Sequence, residues 1–409
     1  MAITYTATSN PGGLTGTALD GAPIEVTGLT LDTPYTFTVT ATGDTVSAAS
    51  TPSASVTPTL YVGKLWSWGT ESFGRLGRVG INSSPVQIGT NTKWAKASHG
   101  IHHNAAITTT GTLWTWGRPY RGLVTGSVYR AVPTQVGILT TWLNIACGSY
   151  HSMATKKDGT LWTWGFNDFG QQMTNNTSDY DSPVQIGALT NWSKIAGGGT
   201  HSAAIKTDGT LWLAGYNAYG NVGDGTVIKR SSPVQIGAGT NWSKIACGVR
   251  HTIATKTDGT LWLWGHNGYG QLGLGDAGNR LSPVQVGAGT TWLNIAGGYF
   301  HTLATKTDGT LWAWGGNSQS QLGNGTTTQK NSPIQIGALT TWSDLSGGAN
   351  HSIATKTDGT LWLWGANNYG QLGLGDADIR YVPTQVGAGT TWSKICRGSK
   401  NYHTVVISK

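Results

Sequence analysis

The chain has 409 residues, of which 61 are Gly, 20 Trp and 3 Cys, and only 11% are charged. No run of 18 apolar residues offers a membrane-spanning helix, no basic-then-apolar leader of an export signal is visible, and an odd cysteine count without CxxC or Cys-His spacing argues against a disulfide framework or a thiolate metal site. Charge is divided unevenly: residues 1–60 hold Asp20, Glu25, Asp32 and Asp44 and no Lys or Arg, so −4 sits there and +12 on the remainder of a chain whose net charge is +8.

Residues 1–58 read as a module of their own. ITYTATSNPGG, APIEVTGLTLDTPYTFTVTATG and SAASTPSASVTPT have the composition of strands and turns. GLTLDTPYTFTVTA resembles the corner and following strand of a fibronectin type III domain, with Tyr35 at the place of its corner tyrosine. A full immunoglobulin-like sandwich takes about 100 residues, so the module reads as partial, its first two strands missing. A chain cut inside the domain, a shortened domain, and strands completed by a neighbouring chain are all open readings.

Residues 59–409 repeat. A motif typified by HTIATKTDGTLWLWGHNGYGQLG begins at His103, His151, His201, His251, His301, His351 and His403, at steps of 48, 50, 50, 50, 50 and 52 residues. HTIATKT alternates as a half-buried strand, Asp258-Gly259 carries the signal of a two-residue hairpin turn, and LWLWG returns as a second strand. SPVQVG and WLNIAGG add two more. Four short strands in about 50 residues, repeated seven times, predict an all-β, seven-bladed propeller.

Every tryptophan falls in one of three columns: Trp66, Trp114, Trp162, Trp212, Trp262, Trp312 and Trp362; Trp68, Trp116, Trp164, Trp264, Trp314 and Trp364, with Ala214 as the lone replacement; and Trp94, Trp142, Trp192, Trp242, Trp292, Trp342 and Trp392. Each ring buries roughly 150–250 Å², so these columns are expected to fill the spaces between blades. YVGKLWSWG at 61–69 supplies only a returning strand and His403–Lys409 only an outgoing one. Joined, they make a split seventh blade that closes the ring and removes its open strand edges.

The pattern GG-x-x-H-[ST]-x-A-x-K-x-D-G-T-L-W-x-W-G-x-N-x-Y-G-Q-L-G-x-G resembles the repeat of the regulator of chromosome condensation family over about 60–409. That resemblance implies a seven-bladed propeller with split-blade closure, but the family includes exchange factors, photoreceptors, inhibitors and scaffolds. Its exchange members use an inserted wedge, for which the even spacing leaves no room. Its plant ultraviolet-B photoreceptor uses a GWRHT motif, where Gly248-Val249-Arg250-His251-Thr252 has Val in place of Trp.

Catalysis finds little support. Seven histidines in register are structural, each expected to bond backbone near the inner edge of the ring; His99, His102 and His266 lie off register with no Ser or Asp motif attached. Asp158, Asp208, Asp258, Asp308 and Asp358 are turn residues, and Asp376 and Asp378 lack the spacing of a calcium loop. Lys156, Lys206, Lys256, Lys306 and Lys356 beside the turns are expected to be a solvated ring, although a basic ring also suits a polyanion. Cys147 and Cys247 share a repeat position and Cys396 lies near it, as small buried thiols. No cofactor and no metal is expected.

A hairpin's open ends lie opposite its turn, so GG-x-x-H and WG-x-N-x-Y share one face. The two positions before each repeat histidine vary there, and a binding site for protein or glycan is expected around Tyr150, Arg250, Tyr299, Phe300 and Tyr402, the residue types of binding hot spots. Ordinary loop variability is the competing explanation. The expected function is a non-enzymatic virion protein, a bacteriophage tail or fibre component that uses a rigid propeller for assembly and host attachment. Its partners would be other virion proteins or a host surface protein or glycan. The absent leader fits particles released by lysis. A secreted or cell-surface bacterial binding or inhibitory propeller is the alternative, and an intracellular regulatory scaffold, with nucleic acid an improbable partner, the third.

Overall fold

The computed structural model describes residues 3–19, 24, 26, 34–43, 46–55, 63–71, 74–78, 80, 82–91, 93–118, 129–389, 391–398 and 402–409. The chain divides into two units, Met1–Tyr61 and Val62–Lys409.

In the first unit β1 (Thr4–Asn10), β2 (Thr15–Leu19) and β3 (Thr36–Thr42) form an antiparallel sheet in the order β2-β1-β3. Tyr35 is buried and stacks on Phe37, ring centroids 6.5 Å apart. Most of APIEVTGLTLDT lies outside the described residues. Of SAASTPSASVTPT, read as strand and turn, the described part runs beside β3 without forming a strand. The N–H groups of Ser47, Ser50 and Ser53 donate to the carbonyls of Ala41, Val39 and Phe37 at 2.8–2.9 Å. Their hydroxyls accept from the N–H groups of those same residues. A three-residue step is the period of polyproline II rather than of a strand, and serine at each step lets it cover the β3 edge.

The second unit contains seven four-stranded antiparallel sheets. In one of them the strands are Trp242–Cys247, His251–Lys256, Leu261–Gly265 and Arg280–Gln285. The first strand of each sheet lines a central channel, through residues such as Ala97, Ala146, Ala196, Ala246 and Ala296. The seventh blade is assembled from both ends of the unit: Trp392–Ile395 and His403–Ser408 pair onto β4 (Lys64–Gly69) and β5 (Asn82–Gln87), in the register His403↔Gly69 to Ser408↔Lys64. The closure expected from the sequence is therefore present.

The core is divided among the seven seams between blades. At one seam Ile205, Leu211, Leu213 and Ile236 of one blade pack on Trp242, Ile245 and Trp264 of the next. Trp242 meets Trp262 edge-on, centroids 6.1 Å apart. Trp264 is wholly buried, and its Nε1 donates across the seam to the Asn221 carbonyl at 3.0 Å. This indole thus fills volume and satisfies its one donor, as do Trp68, Trp314 and Trp364, which donate to the carbonyls of Gln371, Gln271 and Gln321. Cys147, Cys247 and Cys396 are free and buried, as expected.

Two local expectations are corrected. The Asp-Gly turn is a three-residue loop, not a two-residue one. Gly259 N donates to Lys256 O at 3.0 Å, Lys256 N donates to Thr260 O at 3.1 Å, and within the loop only Gly259 takes a positive φ, +76°. A Cβ on Gly259 would stand 1.9 Å from the Thr290 carbonyl of the next blade. Asp258 Oδ1 accepts from Thr260 N and Oγ1, and Thr260 Oγ1 accepts from Trp262 Nε1 at 2.9 Å. The repeated Asp is a turn residue through this side-chain bonding.

The five lysines are not a freely solvated ring: Lys156 and Lys206 are buried, and Lys256, Lys306 and Lys356 are half-buried. Lys156 Nζ lies 3.5 Å from the Trp162 ring centroid and 4.9 Å from that of Trp142, and the other four sit equally between two indoles. Aromatic faces attract an ammonium and its stem adds apolar contact, which the charge pattern alone does not reveal.

Candidate functional site

Each repeat histidine begins the second strand of its blade and is buried. Its Nε2 faces the next blade: His201 meets Thr252 Oγ1, His251 meets Thr302 Oγ1, and His301 meets Ser352 Oγ, all at 3.0 Å. Those hydroxyls in turn donate to Asn221, Gln271 and Gln321 carbonyls. A hydroxyl whose hydrogen is committed to a carbonyl can only accept from the ring, so these Nε2 atoms carry the hydrogen. The partner is a side chain of the neighbouring blade, not the expected backbone. Burial pushes His103, His151, His251, His301 and His351 down to about 3 and His201 to about 4. Neutral and bonded, they are structural.

The variable residues before these histidines lie where the sequence places them. Tyr150 O accepts from Phe166 N at 2.9 Å, Arg250 O from His266 N at 2.9 Å and Phe300 O from Gly316 N at 2.7 Å, joining the two loop families on one face. A buried asparagine fixes the second loop. Asn217 Oδ1 accepts from Val222 N, and its Nδ2 donates to the carbonyls of Thr226 and Ile228 at 3.0 Å. Asn267 repeats this with Leu272 and Asp276. The side chains around each asparagine are thereby held on a pinned frame.

Those side chains form a continuous aromatic track. Ring centroids run from His102 to Tyr150 (6.3 Å), Phe166 (6.0 Å), Phe169 (5.9 Å), Tyr216 (5.2 Å), Tyr219 (6.0 Å) and His266 (4.8 Å). The track continues from His266 to Phe300, which touches Tyr269 at 4.2 Å and Tyr299 at 4.0 Å. Five consecutive blades contribute. Arg250 lies over Tyr219, its guanidinium carbon 5.2 Å from the centroid, and donates to the Tyr219 hydroxyl at 3.3 Å. His266 Nδ1 accepts from Gln271 Nε2 at 2.6 Å, and burial, then the Arg250 charge, hold its imidazole below the ordinary value. Arg250 thus places a fixed charge directly on the track.

Of the expected site residues, Tyr150, Arg250, Tyr299 and Phe300 lie on this track. Tyr402 stands apart, paired with Tyr369 at 5.5 Å; Gly316 and Gln319 occupy the columns that carry rings in earlier blades. Gly316 leaves room for Phe300, whose Cβ would be 3.2 Å from a Cβ there. The residues missed from sequence are Phe166, Phe169, Tyr216, Tyr219, His266, Tyr269 and Tyr369. Their signal was the x-N-x-[YF] spacing after each WG, regular enough to read as scaffold. Among the described residues no group of three or more His, Cys, Asp or Glu could hold a metal ion.

Comparison with known proteins matches the RCC1-like domain over residues 12–287 and the regulator of chromosome condensation (RCC1) repeat over 308–355 and 358–407. No curated protein sequence matches the chain. Among solved structures, human WBSCR16 superposes with TM-score 0.77 at 24% identity, covering 85% of this chain and 99% of that one. Prp20p of Saccharomyces cerevisiae, described with its binding properties to Gsp1p and histones, superposes with TM-score 0.78 at 19% identity, covering 86% and 92%. At these identities the likeness is one of fold.

Proposed function

The chain belongs to the RCC1-like domain family, whose propeller serves as a protein-interaction platform, and from that premise we propose that its working surface is the aromatic track from His102 to Tyr299. The observation that carries this reading is the continuity of the track. Tyr, Phe and Arg on pinned loops offer large contact area at little entropic cost, the chemistry of binding hot spots. Every repeat histidine is committed to a seam, which leaves the face to binding rather than to acid–base chemistry.

The finer reading is a virion component, a phage tail or fibre protein that presents this face to neighbouring virion proteins or to a host surface protein or glycan. A low-charge, Gly- and Trp-rich β scaffold behind a small β module supports it. Immunogold electron microscopy of source lysate, with antibody against residues 60–409, tests it. Label fixed to particles is expected, and loss of attachment in particles carrying Phe300→Ser with Tyr219→Ser would assign the role to the track. Label confined to cell surfaces or to the medium overturns the virion reading in favour of a secreted binder.

A further inference from the structure

The opposite mouth of the channel, on the side of the Asp-Gly turns, carries a second and chemically different feature. The third residue of the innermost strands is Lys96, Asn144, Lys194, Lys244, Asn294, Asp344 and Lys394 in ring order. The two asparagines show what this position does for the fold. Asn144 Nδ2 donates to the Ser193 carbonyl of the next blade at 3.3 Å, and Asn294 Nδ2 to that of Ser343 at 2.7 Å. Lysines make the same bridge. Lys244 Nζ donates to Leu293 O at 2.7 Å and Asn294 Oδ1 at 3.0 Å, Lys394 Nζ to Ala95 O at 3.2 Å, and Lys194 Nζ to Ser243 O. Lys96 Nζ donates to Asn144 Oδ1 at 2.6 Å.

A neutral amide therefore suffices to join the blades, and four ammonium charges are not needed for it. Arg397 adds a fifth charge, at the position where Cys247, Gly297 and Gly347 stand in other blades. Among the described residues Asp344 is the one carboxylate lining the channel, 3.4 Å from Arg397. The described residues of the mouth thus set five cations against one anion, above a cavity of about 440 Å³ walled by Ile145, Ile195 and Ile245. Apolar walls focus such a field onto whatever enters. Burial, then Lys394, draws Lys96 below the ordinary lysine value; burial, then Arg397 and Lys194, does the same to Lys244. An ammonium has three donors; Lys96 and Lys194 each commit one to a bridge and Lys244 two, so these three keep donors for a ligand.

We propose that this channel mouth binds a small, multiply charged oxyanion of the phosphate type, held by Lys96, Lys194, Lys244, Lys394 and Arg397. The site is independent of the aromatic track and is read by a different probe. Inorganic pyrophosphate is titrated calorimetrically into the full chain at fixed ionic strength. Saturable binding at one site per chain is expected, weakened about tenfold by Lys244→Gln and by Lys194→Gln, each of which removes one charge-assisted contact. Lys194 is exposed, so its variant keeps the fold even if Lys244→Gln does not. Asp344→Asn retains the oxygen that accepts from Leu345 N and is expected to tighten binding about threefold or more, since it removes the opposing charge. Phe300→Ala on the far face leaves the titration unchanged. Absence of saturable binding, equal affinity in both lysine variants and the parent, or weakening by Asp344→Asn would each overturn the proposal.

Discussion

Met173 faces Ala214 across a seam, where five other seams among the described residues pair glycine with tryptophan. Gly77, Gly223, Gly273, Gly323 and Gly373 each bring their Cα so close to Trp116, Trp264, Trp314, Trp364 or Trp68 that a Cβ would stand 2.4–2.9 Å from the indole nitrogen. Met173 takes the same left-handed conformation, φ +64°, without being glycine. It is buried in one cluster with Ala214. The thioether fills the space that an indole fills elsewhere, as methionine does in irregular gaps.

The two residues are therefore expected to be coupled. Ala214→Trp alone overpacks against Met173 and costs about 1–3 kcal/mol. Met173→Gly alone relieves the left-handed backbone but opens a cavity. The double substitution restores the arrangement of the other seams and is expected to lie within about 1 kcal/mol of the parent, a non-additive result. Denaturant unfolding of the four proteins measures it, and additive losses would refute the pairing.

The buried imidazoles make stability depend on pH. Their folded values, about 3 to 4, lie below the unfolded value near 6.5. Above 6.5 both states are neutral and nothing is lost. Below it the unfolded chain binds protons that the folded one refuses, so stability falls as pH drops from 6.5 toward 3. Each ring contributes a slope of about 1.4 kcal/mol per pH unit. Thermal midpoints are expected to be flat from pH 7 to 9 and to collapse steeply between 6 and 4. A flat profile down to pH 4.5 would contradict the neutral ring.

Lysine burial is accessible to chemical labelling. Lys156 is buried between indoles while its neighbour Lys157 is exposed. Burial holds Lys156, Lys206 and Lys356 below the ordinary value, with Asp158, Asp208 and Asp358 opposing. Under an amine-reactive ester read by mass spectrometry, Lys157 is expected to react at least about tenfold faster than Lys156, because shielding outweighs the easier deprotonation. Comparable rates would restore the solvated reading.

The closing strand should act as a clasp. Val405, Val406 and Ile407 are buried at the seams on both sides of the seventh blade. Removing residues 403–409 strips these side chains from both seams and bares the β4 edge, an invitation to aggregation. Loss of the cooperative melt is expected, and a truncated chain melting like the parent would show that the ring tolerates being open.

The sequence by itself determined whatever a single repeat encodes. Period, strand order, the three tryptophan columns, the split blade and the shared face of GG-x-x-H and WG-x-N-x-Y all follow from local alternation and turn chemistry, which act over a few residues. The tertiary structure decided what crosses a seam. His251 reaches Thr302, Trp264 reaches Asn221, Lys244 reaches Leu293, and Phe169 meets Tyr216, each pair joining two blades across 43–51 positions of sequence. Such partners are set by how one twisted sheet lies against the next, which no window of a single repeat contains. For that reason Tyr150, Arg250, Tyr299 and Phe300 were legible as variable face positions, while the track joining them, and the cationic ring at the other mouth, emerge only once seven blades are closed around one axis.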